Sequence, residues 1–149
     1  MHSKRVISPE LLNEHEHDAK YVLLFATLRN CRDQSDHIKI TDHFTCTSTN
    51  VIYCITCTLC KKLYIGETGT RLGDRFREHL RDVKKDDKNA SKPVARHFNL
   101  PNHFKQHMVV CGLSLHQGST ESRKTLEQKF IFQIGTLNPH GINERFSFN

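Results

Sequence analysis

Apolar positions along the chain switch between two spacings, and the switches mark the elements. From Val51 to Thr56, and again from Leu63 to Glu67, β-branched and aromatic residues run almost without a break. Runs of that length and composition predict two short strands. After Gly69 the spacing changes. Leu72, Phe76, Leu80 and Val83 fall at i, i+4, i+8 and i+11, one stripe of a helix from about Arg71 to about Lys84. Arg75 and His79, four apart, ride together on the flank of that stripe. Gly66 and Gly69 bracket Glu67-Thr68 and predict the turn into this helix.

Further along, Ser91 can cap a short helix with Pro93 in its first turn and Val94 and Phe98 facing inward. That helix stops near Asn99-Leu100-Pro101. Met108 to Leu115 reads as a third strand, interrupted by Gly112. Ser119 or Thr120 opens a last helix to about Ile134, closed by Gly135, with Leu126, Phe130, Ile131 and Ile134 on its apolar face. The first third is less patterned. Ser8-Pro9-Glu10 is a helix start, and Tyr21 to Phe25 suits a helix or a strand equally. Asn30 to Asn50 and Asp86 to Asn89 read as polar loops, and Phe146-Ser147-Phe148 as an end able to dock on the core.

Each of the first two strands carries a central tyrosine, Tyr53 and Tyr64. With Thr58-Leu59 as a two-residue turn, Cys57 lies opposite Cys60 and Tyr53 opposite Tyr64, with Cβ atoms about 4.5–5.5 Å apart on one face. Glu127 falls within the apolar face of the last helix. A carboxylate there is costly unless paired with a cation. The cation is an arginine, Arg75 or Arg96, or a divalent metal, since hard cations prefer carboxylate oxygen. Cys57-x2-Cys60 with His97-x5-His103 is a zinc pattern, in competition with Cys46, Cys54, Cys111 and His107 as ligands and with plain buried thiols.

Composition narrows the class. With 149 residues and 36% hydrophobic content the chain suits one domain with a modest core, and no apolar run approaches a membrane span. The N-terminus lacks a signal-peptide core, so a reducing compartment is expected, and six cysteines read as metal ligands or buried thiols before disulfides. The net charge of +6 is uneven. Residues 1–50 hold six Lys/Arg against seven Asp/Glu, whereas residues 61–96 hold eleven against six. A basic helix and loop after the hairpin suit a polyanion, most plainly nucleic acid.

Val51-Ile52-Tyr53, Tyr64-Ile65-Gly66, Arg75-x3-His79, Glu127 and Asn143 together resemble the GIY-YIG endonuclease domain in order and spacing. The Cys-x2-Cys between the tyrosine motifs, with histidines downstream, resembles the variant of Penelope-like retroelements. The resemblance covers about Phe44 to the C-terminus and leaves residues 1–43 as an extension or linker. It implies an α+β fold, a small three-stranded antiparallel sheet flanked by helices. It also implies metal-dependent hydrolysis of DNA phosphodiesters, a nuclear setting, and a reverse transcriptase domain in the parent element. A chain of 149 residues has no room for that domain, so it reads as a detached module. On this likeness Glu127 holds Mg²⁺ or Mn²⁺ and Arg75 the scissile phosphate. Tyr53 or Tyr64 orients or deprotonates the attacking water, His79 supports the phosphate or the water, and Asn143 fixes the geometry. Cys57, Cys60, His97 and His103 are the implied structural zinc ligands. Val51 stands where the family has its first glycine, and only Cys31 and Cys46 precede the first strand, so no second upstream metal site is expected.

Overall fold

A computed structural model describes residues 42–85 and 92–144 and the backbone of Val6–Ile7. The elements expected over residues 8–28, the first part of the polar linker, the 86–89 loop, the Ser91 cap and the Phe146–Phe148 end lie outside the described residues.

The core is a three-stranded antiparallel sheet. Strand β2 (Val51–Cys57) is central, between β3 (Leu63–Thr68) and β4 (Met108–Leu115). A two-residue β1 (Val6–Ile7), within the segment expected to be an extension, pairs with the outer side of β4. Every residue of β2 is buried, as a near-continuous apolar run demands of a strand covered on both faces. Three helices flank the sheet: α1 (Leu72–Lys84), α2 (Pro93–Phe98) and α3 (Thr120–Ile134). Pro93 opens α2, Ser119 caps α3 by accepting a hydrogen bond from the Ser122 amide, and Gly135 ends it at φ 74°. These are the residue types that each position favours.

The hairpin register differs from the expected one. Tyr53 lies opposite Gly66 and Tyr64 opposite Ile55, a shift of two residues. Thr58 to Lys61 form the connection. The Lys61 amide donates to the Cys57 carbonyl at 2.8 Å, and Lys61 takes φ 67°. A two-residue turn would have required positive φ at both Thr58 and Leu59, which neither tolerates well; the longer loop needs it only at Lys61. Because the shift is even, both tyrosines keep the same face as diagonal neighbours, about 7–8 Å apart. Gly66 is explained by the same pairing. It lies within β3 rather than in a turn, and a Cβ there would collide with the Tyr53 ring and hydroxyl. Glu67 and Thr68 likewise remain in the strand, opposite Ile52 and Val51.

Gly112 has a parallel reason. Ile52 pairs with Ser114 and Tyr53 with Gly112, so Leu113 is the extra residue of a bulge in β4. Buried Phe44 lies directly over Gly112, where a Cβ would stand inside its ring. Gly112→Ala should therefore destabilise the fold by about 1–3 kcal/mol through overpacking. In a Phe44→Leu background most of that penalty should vanish on urea denaturation. An equal penalty in both backgrounds would remove Phe44 as the cause.

Candidate active site

Tyr53 and Tyr64 point to one face of the hairpin, and α1 lays His79 and Arg75 beside them. The Tyr53 side chain is 1% exposed. Its hydroxyl lies 2.7 Å from His79 Nε2, and Arg75 Nε donates to the same oxygen at 3.2 Å. With Arg75 donating, the phenol proton is directed to His79, which accepts it only when neutral. Burial, reinforced by the Arg75 charge, pushes the His79 pKa down to about 3, so neutrality is its resting state. The imidazole also bridges the two phenols: its centroid is 5.8 Å from each ring, edge-on to both.

Burial raises both phenols well above their ordinary pKa, Tyr64 to about 12, with Glu127 the next cause for Tyr64. Neither is a phenolate at neutral pH without added positive charge. Tyr64 is the less enclosed of the two. Arg75 spends a further donor on Glu78 at 2.6 Å, leaving most of its five donors for a ligand.

Glu127 comes from α3 and is 9% exposed. Neither arginine considered for it from sequence pairs with it: Arg75 goes to Glu78 and Arg96 to Glu144. Among the described residues no ion pair reaches the Glu127 carboxylate, whose recorded contact is a 2.9 Å bond from Gln128 Nε2. Burial first, and the Glu67 charge second, raise its pKa to about 7. Such a group lacks a cation. It is a hard oxygen donor of the kind Mg²⁺ or Mn²⁺ takes.

Two residues near it were not singled out by the sequence. Arg123, one turn before Glu127 and 5% exposed, donates to Glu67 at 2.6 Å and to Asn50 Oδ1 at 3.1 Å. The signal was present as a second charge on the inner side of the helix at i−4 from Glu127. Glu67 follows Gly66 directly, where the glycine pair predicts a turn.

Asn143 is buried and does more than turn the chain. Its Oδ1 accepts from the Ile65 amide at 2.8 Å and from Thr136 Oγ1 at 2.7 Å, while Nδ2 donates to the Ile65 carbonyl at 3.0 Å. One amide thus replaces a neighbouring strand for the residue between Tyr64 and Gly66. The Ile142 amide extends the seam to the Leu63 carbonyl at 2.8 Å.

At the far end of the hairpin, Cys57, Cys60, His97 and His103 place their ligand atoms within 4.8 Å of one another. Tetrahedral zinc with two sulfurs and two nitrogens spaces its ligands by roughly 3.3–3.8 Å, so a small contraction suffices. His103 Nδ1 is 3.0 Å from the Pro101 carbonyl, which fixes the tautomer and leaves Nε2 to face the Cys60 sulfur. His97 Nε2 lies 3.4 Å from Cys60 Sγ. Burial would raise the Cys60 thiol, but nearby His103 and the Lys62 amide outweigh it and pull it down. The rival ligands are elsewhere. Cys54 and Cys111 face each other across β2 and β4, Cys46 packs on Gly73, and His107 Nδ1 takes the Phe104 amide.

Residues 49–138 match the GIY-YIG catalytic domain, more than half of the chain. The chain belongs to the GIY-YIG family. A solved structure titled "Structure of the Catalytic Domain of Homing Endonuclease I-TevI" has the same fold. It superposes with a TM-score of 0.54 at 21% identity, over 65% of this chain and 99% of that one. No curated protein matches significantly. As a GIY-YIG domain, the chain falls in a nuclease class that acts on DNA.

His79 makes this GIY-YIG domain acid-sensitive in a defined window. Its folded-state pKa is depressed, so its contribution to stability is complete above the ordinary histidine range. Below it the unfolded chain takes up a proton that the folded chain refuses, and stability is lost as pH falls towards the folded value. The expected slope from this group is about 1.4 kcal/mol per pH unit. Urea unfolding of wild type and His79→Gln between pH of about 6.5 and about 3 reads the difference. Identical slopes would mean that His79 is not held neutral in the fold.

Proposed function

We propose that the chain is a metal-dependent endonuclease that nicks DNA phosphodiesters, of the Penelope-like retroelement type. The observation that carries the catalytic reading is the buried carboxylate of Glu127, without an ion pair among the described residues and coupled by charge to Tyr64, Tyr53 and Arg75. Glu127 would hold a Mg²⁺ or Mn²⁺ ion, which when bound supplies Lewis-acid stabilisation of charge on the phosphate. Arg75, charged at any pH of interest, grips a phosphate oxygen with its remaining donors and offsets the charge that builds there. Exposure separates the two tyrosines. Tyr53 is enclosed and committed at its oxygen to His79 and Arg75, so it holds those two in place. Tyr64, less enclosed, meets the attacking water. His79 rests neutral with Nε2 as the acceptor of the phenolic proton. Asn143 keeps Tyr64 at its station by clamping Ile65.

The Penelope-like assignment rests on the Cys-x2-Cys inserted between the tyrosine motifs and its convergence with His97 and His103. We read that cluster as a structural zinc site. In the parent element a reverse transcriptase would accompany the nuclease, and a DNA substrate would imply a nuclear setting.

Supercoiled plasmid with Mg²⁺ or Mn²⁺ tests catalysis. Wild type should yield nicked circles, and Glu127→Ala and Arg75→Ala should each lose at least about 100-fold in rate. If wild type and Glu127→Ala are equally inert while salt-sensitive DNA binding persists, the chain is a zinc-stabilised nucleic-acid-binding module without catalysis. Elemental analysis tests the second metal. One zinc per chain is expected, lost in Cys57→Ser/Cys60→Ser together with a lowered melting temperature. A zinc-free wild-type protein would refute the structural site.

A further inference from the structure

The Cys/His clip lies on the same sheet face as the tyrosines. Side chains alternate along β2, so Tyr53, Ile55 and Cys57 share a side, and Lys62 stands opposite Cys57. From Tyr53 to Cys57 is four residues, about 13 Å of strand. A nucleic-acid strand rises about 3.4 Å per nucleotide, so the clip lies about four nucleotides from the tyrosine site.

The outer rim of the clip has an unusual make-up. Phe104 is 60% exposed and Leu59 48% exposed. Lys61, Lys62 and Lys105 stand among them. Residues 57–63 and 97–108, which build this rim, contain no Asp or Glu, and Glu144, in the groove beside Lys62, is paired with Arg96. The rim is also held rigidly. The Thr58 amide donates to the His107 carbonyl at 2.9 Å, which ties the hairpin tip to the turn Lys105–His107. The Phe104 amide donates to His107 Nδ1 at 3.0 Å, and the two rings lie 5.7 Å apart. An exposed aromatic on a fixed turn, next to Lys105 and tied to the hairpin tip that carries Lys61 and Lys62, is complementary to a base face and phosphates.

We infer that this rim is a second DNA contact, which grips the strand about four nucleotides from the cut and stacks an unpaired base on Phe104. Lys61, Lys62 and Lys105 neutralise the backbone there, and Leu59 covers the sugar side. The consequence is a substrate preference: DNA with an unpaired or frayed base about four nucleotides from the scissile phosphate binds more tightly than plain duplex. This deepens the nuclease reading and relies on it for the position of the cut, but not for binding.

The test uses the full chain carrying Glu127→Ala as host, with a plain duplex and the same duplex containing one unpaired base. Anisotropy titrations across salt concentrations read both. Lys61→Ala/Lys62→Ala/Lys105→Ala should bind both duplexes at least about tenfold more weakly, with a salt slope shallower by about 2–3. Phe104→Ala should lose about tenfold on the unpaired-base duplex alone, and Phe104→Trp should restore it. With Glu127 intact, the same variants should raise KM for nicking and leave kcat unchanged. Lys61, Phe104 and Lys105 are exposed and Lys62 is half-buried, and unchanged zinc content and melting temperature confirm the fold. Unaltered affinity and slope in the lysine variant, with wild-type nicking, would overturn the second contact and leave the nuclease reading standing. Weakened binding by the lysine variant with no nicking by wild type would do the reverse. A dimer dissociated by Phe104→Ala, with DNA affinity unchanged, would assign the rim to a second copy of the chain and overturn the proposal as well.

Discussion

The Tyr53 ring occupies the space that a side chain at position 66 would fill, and its hydroxyl joins two residues of α1. Gly66 admits the ring, while His79 and Arg75 take the oxygen from either side. Shape on one side and polarity on the other leave the phenol a single position. The hairpin and α1 are thereby fixed to each other through one residue. Burying a phenol and an imidazole together is costly unless each is satisfied. Here the set is complete: the arginine donates, the phenol passes its proton on, and the neutral imidazole accepts it.

Beyond that point the site is assembled from parts far apart in the chain. The hairpin and α1 are local, and Glu127 comes from α3. Arg123 anchors the first turn of α3 to Glu67 and to Asn50, just before β2, so the helix carrying the lone carboxylate is pinned to the sheet one turn earlier. The cost of the buried Arg123–Glu67 pair is offset by hydrogen bonds to Asn50 and Thr120. What the pair brings is position, more than stability.

Much of this was legible along the chain. Composition and period gave β2, β3, α1, β4 and α3 with caps and closing glycine, because each of those segments obeys a local rule. Glu127 stood out because a carboxylate on an apolar face needs an explanation. The register of the hairpin was not legible. Cys57 and Cys60 suggested symmetry about Thr58-Leu59, but backbone geometry at the turn and the Tyr53–Gly66 fit decide the pairing, and both depend on contacts between strands. Phe44 over Gly112 and Arg123 on Glu67 are of the same kind. Each is a contact across more than fifty positions, with only a glycine or an isolated charge to announce it. Asn143 has a place in a motif, yet its clamp on Ile65 is a matter of three-dimensional closeness alone.

That clamp has a consequence for how the domain comes into being. Ile65 is synthesised 78 residues before the side chain that secures its outer edge. On a translating ribosome the strand bearing Tyr64 therefore waits, one edge unpartnered, while α1, α2, β4 and α3 emerge. Only when residue 143 clears the exit tunnel does an amide close the seam. The order of synthesis thus withholds the closed seam from a nascent chain until residue 143 has been added.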